Sequence, residues 1–185
     1  MAETKVAKRY AKSLLDLAIE NNIVDEISKD MQSVLNTIRA NRELSVFFKS
    51  PIINTDKKDA VLRSVFEGRI NKMILTFFSI ITRKKREYYI EDITASFIEL
   101  YKEYRHIQTA VLITAVKADD SVKKDMLALI AKTTSNTIEL KEQIDPSIIG
   151  GFILRWGDRQ VDTSVARKLH ELRQDFRDNL YLKDY

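Results

Sequence analysis

Apolar residues recur every third or fourth position through roughly the first hundred residues, and that rhythm stops near residue 106. Such spacing is the period of an α-helix with one buried stripe. Only Pro51 and Gly68 interrupt it, so this half has few ways to fold other than as helices joined by short turns. Val6, Ala7, Tyr10, Ala11, Leu14, Leu17 and Ala18 form a first stripe, opening at Thr4 and stopping at Asn21-Asn22. Ile27, Met31, Val34, Leu35 and Ile38 form a second. Asn41 is expected to cap a short third helix holding Leu44, Phe47 and Phe48, which ends before Pro51 because the residue preceding proline disfavours helical geometry. Asn54 and Thr55 are expected to cap a fourth helix through Ala60, Leu62, Val65 and Phe66, with Gly68 placed to end it in a left-handed conformation. The fifth runs from Ile70 through Met73, Ile74, Phe77, Phe78, Ile80 and Ile81; being apolar around more than one face, it is expected near the bundle centre. A sixth carries Ile90, Ile93, Phe97, Leu100, Tyr101 and Tyr104. Residues 1–105 therefore read as a six-helix bundle.

From Ile107 the sequence turns β-branched, and Ile107 to Val116 reads as a largely buried strand. Asp119, Asp120 or Ser121 can cap a helix through Val122, Met126, Leu129 and Ile130. Ile138, Leu140 and Ile144 lie on one side of a second strand, interrupted by Glu142. Phe152 to Trp156 and Arg159 to Val161 flank Gly157-Asp158, whose leading glycine suits a type II′ hairpin turn. A last helix sets Val165, Leu169, Leu172 and Phe176 along one face. The fold class is α+β, mostly α: the bundle, then a small mixed α/β domain over 106–185 with a hairpin-containing sheet and two helices.

Several classes of function are disfavoured. The chain has no cysteine, which removes disulfides, thiolate zinc sites, iron-sulfur clusters and cysteine nucleophiles together. No apolar run approaches the ~18 residues of a spanning helix, and no apolar segment with a cleavage site opens the chain, so a cytosol-like compartment is expected. Residues 1–105 hold nineteen Lys and Arg against fifteen Asp and Glu, and residues 106–185 hold twelve against twelve. A surplus this small, with the signs interspersed, is not the dense positive stripe of a nucleic-acid binder. The one basic run, Arg83-Lys84-Lys85-Arg86, follows the fifth helix, where cations complement the helix C-terminus. With Tyr88 and Tyr89 exposed it would instead carry an alternative reading, an RNA-binding or ribosome-associated adaptor. His106 and His170 read as boundary and surface residues, and no paired-histidine spacing or nucleophile elbow occurs. Gly150-Gly151 lacks the Lys-Ser/Thr of a phosphate loop and precedes a strand, so it reads as a strand entrance or bulge. No catalytic residue, cofactor site or metal site is expected.

With these elements placed, the chain resembles the delta subunits of bacterial and plastid F-type ATP synthases, similar to the mitochondrial oligomycin-sensitivity-conferring protein. Val6-Ala7-Lys8-Arg9-Tyr10-Ala11-Lys12-Ser13-Leu14 followed by Leu17-Ala18 resembles the family's opening helix, and Ser50-Pro51-Ile52 with Lys57 its proline-marked break. The more specific signature is Ile144-Asp145-Pro146-Ser147-Ile148-Ile149-Gly150-Gly151, then Gly157-Asp158, then Asp162-Thr163-Ser164-Val165 and Leu169. One departure is Lys84-Lys85-Arg86, where the family often has an asparagine before the arginine. The resemblance implies a non-catalytic stator connector at the cytoplasmic face of the bacterial plasma membrane, or its plastid equivalent, reaching the membrane only through its complex. It implies that the helical domain accepts N-terminal segments of the alpha subunits and that residues 106–185 engage the b subunits. The expected alpha-subunit groove lies between the first and fifth helices and involves Tyr10, Leu14, Met73 and Phe77. The usual chemistry of such a site is an amphipathic helix laid in a groove with a polar rim.

Overall fold

A computed structural model describes residues 5–131 and 136–177, so Thr4, expected to open the first helix, lies outside the described residues. The chain forms two compact units, Met1–Arg105 and His106–Tyr185. The overall class is α+β with helices dominant, as the periodicities imply.

The first unit contains α1 (Lys5–Glu20), α2 (Val24–Ala40), α3 (Arg42–Lys49), α4 (Thr55–Phe66), α5 (Lys72–Arg83), a 3-10 turn (Glu87–Tyr89) and α6 (Ile90–Tyr104). Its core gathers Leu14, Ile27, Met31, Ile38, Leu62, Ile74, Phe78, Ile90 and Phe97. The central helix is α6, packed along both α1 and α2. Ala7, Ala11 and Ala18 give α1 a stripe of small buried side chains, which lets another backbone approach closely. The expectation of a central α5 is thereby corrected. That helix buries Ile74, Phe78 and Ile81 but turns a second stripe, Met73, Phe77 and Ile80, outward, with Ile80 half exposed. Its start is also later than Ile70: Asn71 caps it by accepting from the Met73 amide at 2.9 Å. The Asn71 backbone and side-chain amides donate to Asp30 and Glu26 of α2.

Other expected caps differ. Asn41 and Asn54 occupy the positions before α3 and α4, yet neither side chain caps its helix; Asn41 donates back to the Thr37 carbonyl instead. The turn after α3 is held by Lys58, a residue that periodicity assigns to a solvated face. Lys58 is buried, and its Nζ donates to the carbonyls of Phe48 and Ser50 and to Glu87 Oε1 at 3.0, 2.6 and 2.7 Å. The three N–H donors of an ammonium on a long stem match two helix-end carbonyls and a carboxylate at once.

The second unit contains β1 (Ile107–Thr114), α7 (Asp120–Ala131), β2 (Thr137–Ile144), a 3-10 turn (Pro146–Ile148), β3 (Phe152–Trp156), β4 (Arg159–Asp162) and α8 (Val165–Arg177). The sheet order is β2-β1-β3-β4. β1 and β2 are parallel, which requires a crossover, and α7 supplies it by packing back against β2. β1 with β3, and β3 with β4, are antiparallel, the latter joined through Gly157-Asp158 with Gly157 at φ +53°. β1 stops two residues short of the expected Val116, which is exposed. Ala110, Leu112, Ile130, Leu154 and Trp156 form the core. Glu142, which breaks the apolar side of β2, is neutralised by Lys123 of α7.

Candidate partner-binding surfaces

Three of the four expected groove residues are partly exposed. Tyr10 on α1 and Phe77 on α5 meet edge to face, ring centroids 6.4 Å apart, and Met73 lies on the same α5 stripe one turn earlier. Leu14 is different. It is wholly buried and supports this face from beneath rather than lining it. Two residues not singled out as binding candidates complete the face: Leu17, two turns from Tyr10 on α1, and Ile80, one turn from Phe77 on α5, both large and about half exposed. Burial separates Leu14 from its neighbours in a way a stripe cannot. All seven α1 positions share one period, and tertiary packing, chiefly against α6, decides which of them lie deepest.

The basic run adjoins this face. Arg86 donates to the Tyr10 hydroxyl at 2.5 Å, and its guanidinium stands 5.6 Å from the Tyr10 ring centroid. The loop is fixed by backbone bonds from Lys84, Lys85 and Arg86 to the last carbonyls of α5, with Lys85 at φ +55°. Asparagine and glycine adopt that conformation more readily than lysine, a physical reason for asparagine at this position. Of the two tyrosines that follow, Tyr88 is exposed and Tyr89 is partly buried against the core.

Nearby carboxylates are structural. The hydrogen bond from Ser79 to Asp59, with Arg63 on its other oxygen, holds the Asp59 carboxyl below the usual carboxylate range. Lys49 and Ser45 do the same for Glu91. Among the described residues no three histidine, aspartate or glutamate side chains converge on a common point, and no helix is long and apolar enough to cross a membrane.

The second unit also has an uncovered apolar surface. Val165, Leu169, Leu172 and Phe176 of α8 are 38% to 79% exposed. Their spacing of four, three and four is the seam spacing of a coiled coil, and no residue of α8 from Val165 to Phe176 is buried. The start of the helix is well built: Ser164 Oγ accepts from the Arg167 amide at 3.2 Å, and Asp162 accepts from the Ser164 amide at 2.9 Å. That bond draws the Asp162 carboxyl below its usual range. His170 lies on the exposed part of α8 against Gln174, and His106 is an exposed residue at φ +52°.

The model of the family described as ATP synthase delta (OSCP) subunit matches residues 6–176. The ATP synthase subunit delta of Cytophaga hutchinsonii is 36% identical over 176 residues, spanning 95% of this chain and 96% of its own. That of Flavobacterium johnsoniae is 34% identical, spanning 95% and 98%. The fold is shared with a chain of the Toxoplasma gondii mitochondrial ATP synthase hexamer solved by cryo-EM, with a TM-score of 0.71 at 20% identity over 96% of this chain and 100% of that one.

Proposed function

Because the chain belongs to the ATP synthase delta (OSCP) subunit family, we propose that it is the non-catalytic stator connector of a rotary ATP synthase, tying the catalytic head to the peripheral stalk. Residues 1–105 receive the N-terminal segments of alpha subunits across the α1/α5 face, through Tyr10, Met73 and Phe77 backed by Leu14. Residues 106–185 hold the b subunits. The protein stays peripheral, on the cytoplasmic face of the bacterial membrane, and reaches the bilayer through its complex.

The observation that carries this reading is the bare seam of α8. A helix whose every large apolar residue faces water gains little from its own unit, and its coiled-coil spacing fits another helix rather than a flat surface or a small molecule. The α1/α5 face has the aromatic centre and basic rim of a helix-binding groove. RNA binding finds no support, since only one of the two tyrosines is exposed.

The test is differential. A tagged chain should co-purify alpha and b subunits. Leu172→Asp should lose b and keep alpha, and Phe77→Asp the reverse, each by more than about 2 kcal/mol if the residue is a hot spot. Retention of both partners by both variants would place the docking surfaces elsewhere.

A further inference from the structure

Ile149 combines backbone strain with exposure. Its φ and ψ are +69° and −41°, and the Gly150 amide donates to the Ile148 carbonyl at 2.8 Å across it. That is a γ-turn with a positive-φ centre, the rarer and strained of the two γ-turn forms. Positive φ is a true outlier for a β-branched residue. Glycine would relieve the strain, and glycines do occupy the next two positions. Burial does not account for the choice, because Ile149 is 62% exposed.

The surroundings leave the turn no freedom to relax. On one side Asp145 accepts from the Ser147 amide and Pro146 starts the 3-10 turn. On the other, Val165 of α8 donates its amide to the Gly150 carbonyl at 3.0 Å. Gly151 sits at φ +75°, so close to Thr163 that an added Cβ would fall 2.4 Å from its carbonyl oxygen. Strain persists only where the structure around it over-determines it, and such sites cluster where binding or catalysis uses the held geometry. Here the result is an exposed large apolar side chain one residue before Gly150, whose carbonyl takes the amide of Val165, the first residue of the bare α8 seam.

The geometry points to Ile149 as a pre-positioned anchor, enclosed by the same partner helix that covers α8. This rests on the reading of α8 as the stalk-binding face. The partner is an apolar-seam helix with acidic flanks, since α8 carries Arg167, Lys168, Arg173 and Arg177 against Glu171 and Asp175. Holding the anchor in place before binding removes the ordering cost that a free isoleucine in a flexible loop would impose at the interface.

Strain and anchoring make opposite demands, and this separates them. Ile149→Asn suits positive φ and removes the anchor; Ile149→Gly relieves the strain further; Ile149→Val keeps both features. The probe is the soluble segment of the b subunit from the same genome, titrated calorimetrically into the full chain, with unfolding of the free chain followed by Trp156 fluorescence. The expected result is at least about thirtyfold weaker binding for the Asn and Gly variants, an affinity loss of the size hot-spot truncation produces. Their unfolding midpoints should be unchanged or raised, and Val should bind near wild type. Affinities within about twofold of wild type for Asn and Gly, a change too small to mark a hot spot, would overturn the anchor while leaving the α8 reading intact. A lowered midpoint in both would also overturn it, by making Ile149 a residue of the fold. Failure of the wild-type chain to bind would overturn the α8 reading and this inference with it.

Discussion

Replacing Lys58 by methionine keeps most of its volume and removes the ammonium serving the Phe48 and Ser50 carbonyls and the Glu87 carboxylate. Glu87 would then carry a charge with no cation at either oxygen, because Oε2 has no partner already. Breaking a buried ion pair from one side costs about 3–5 kcal/mol. The Lys58 side chain is 2% exposed and that of Glu87 12%, so the stranded carboxylate keeps slight access to water and the expected loss is about 3 kcal/mol. Glu87→Gln leaves an acceptor for the ammonium and should cost about 1–2 kcal/mol. In the double variant no charge is stranded, so its loss should fall short of the sum by at least about 1 kcal/mol. Urea titration with far-ultraviolet circular dichroism follows the helical unit. Trp156, the single tryptophan, lies in the core of the other unit, and its fluorescence reports that unit separately. The dichroism midpoint should fall while the fluorescence midpoint holds. An additive cycle, or a Lys58→Met loss below about 1 kcal/mol, would refute the argument, because a contribution that small is typical of a solvated pair.

Gly151→Ala adds a Cβ 2.4 Å from the Thr163 carbonyl oxygen at φ +75°, so the unfolding free energy followed by Trp156 fluorescence should drop by at least about 2 kcal/mol; an unchanged value would mean that the strand entrance yields easily. Asp59 has a folded pKa below its usual value, so its stabilisation is full above the unfolded carboxylate pKa, near about 4, and is lost as pH falls through the folded pKa. Asp59→Asn should therefore flatten the acid limb of the dichroism-monitored stability, and identical limbs would show that the Ser79 and Arg63 bonds contribute nothing. Limited proteolysis should cut first between Arg105 and Gln108, at the division between the two units; a stable core running through this segment, cut elsewhere, would count against separate folding. Calorimetry with magnesium-ATP should show no heat of binding, and micromolar affinity would contradict a non-catalytic role.

The sequence made the helices of the first unit and the class of the second legible because both rest on local pattern: a period of three to four for α1 through α6, a β-branched run for β1, and the Gly157-Asp158 turn flanked by β3 and β4. It did not reveal depth. Tyr10, Leu14 and Leu17 share one stripe, yet α6 buries the middle one and leaves the others outside. Lys58 reads as solvent-facing because its burial depends on carbonyls eight and ten residues earlier and a glutamate twenty-nine later. The outward α5 stripe was visible as excess apolar character, but not its direction. Ile149 was visible only as one letter of a family signature. Its strain is a property of φ and ψ, which residue identity does not specify where a glycine would serve as well.

The central position of β1 has a mechanical consequence. Two residues, Arg105 and His106, separate the end of α6 from the start of β1, so tension passed along the backbone between the units enters the sheet at the first residue of β1. β1 is matched over eight positions to β2 on one side and five to β3 on the other. A lengthwise pull strains both ladders together, whereas a pull across an edge strand would open them one bond at a time. The covalent join between the units therefore enters the sheet at a strand paired on both sides rather than at an edge.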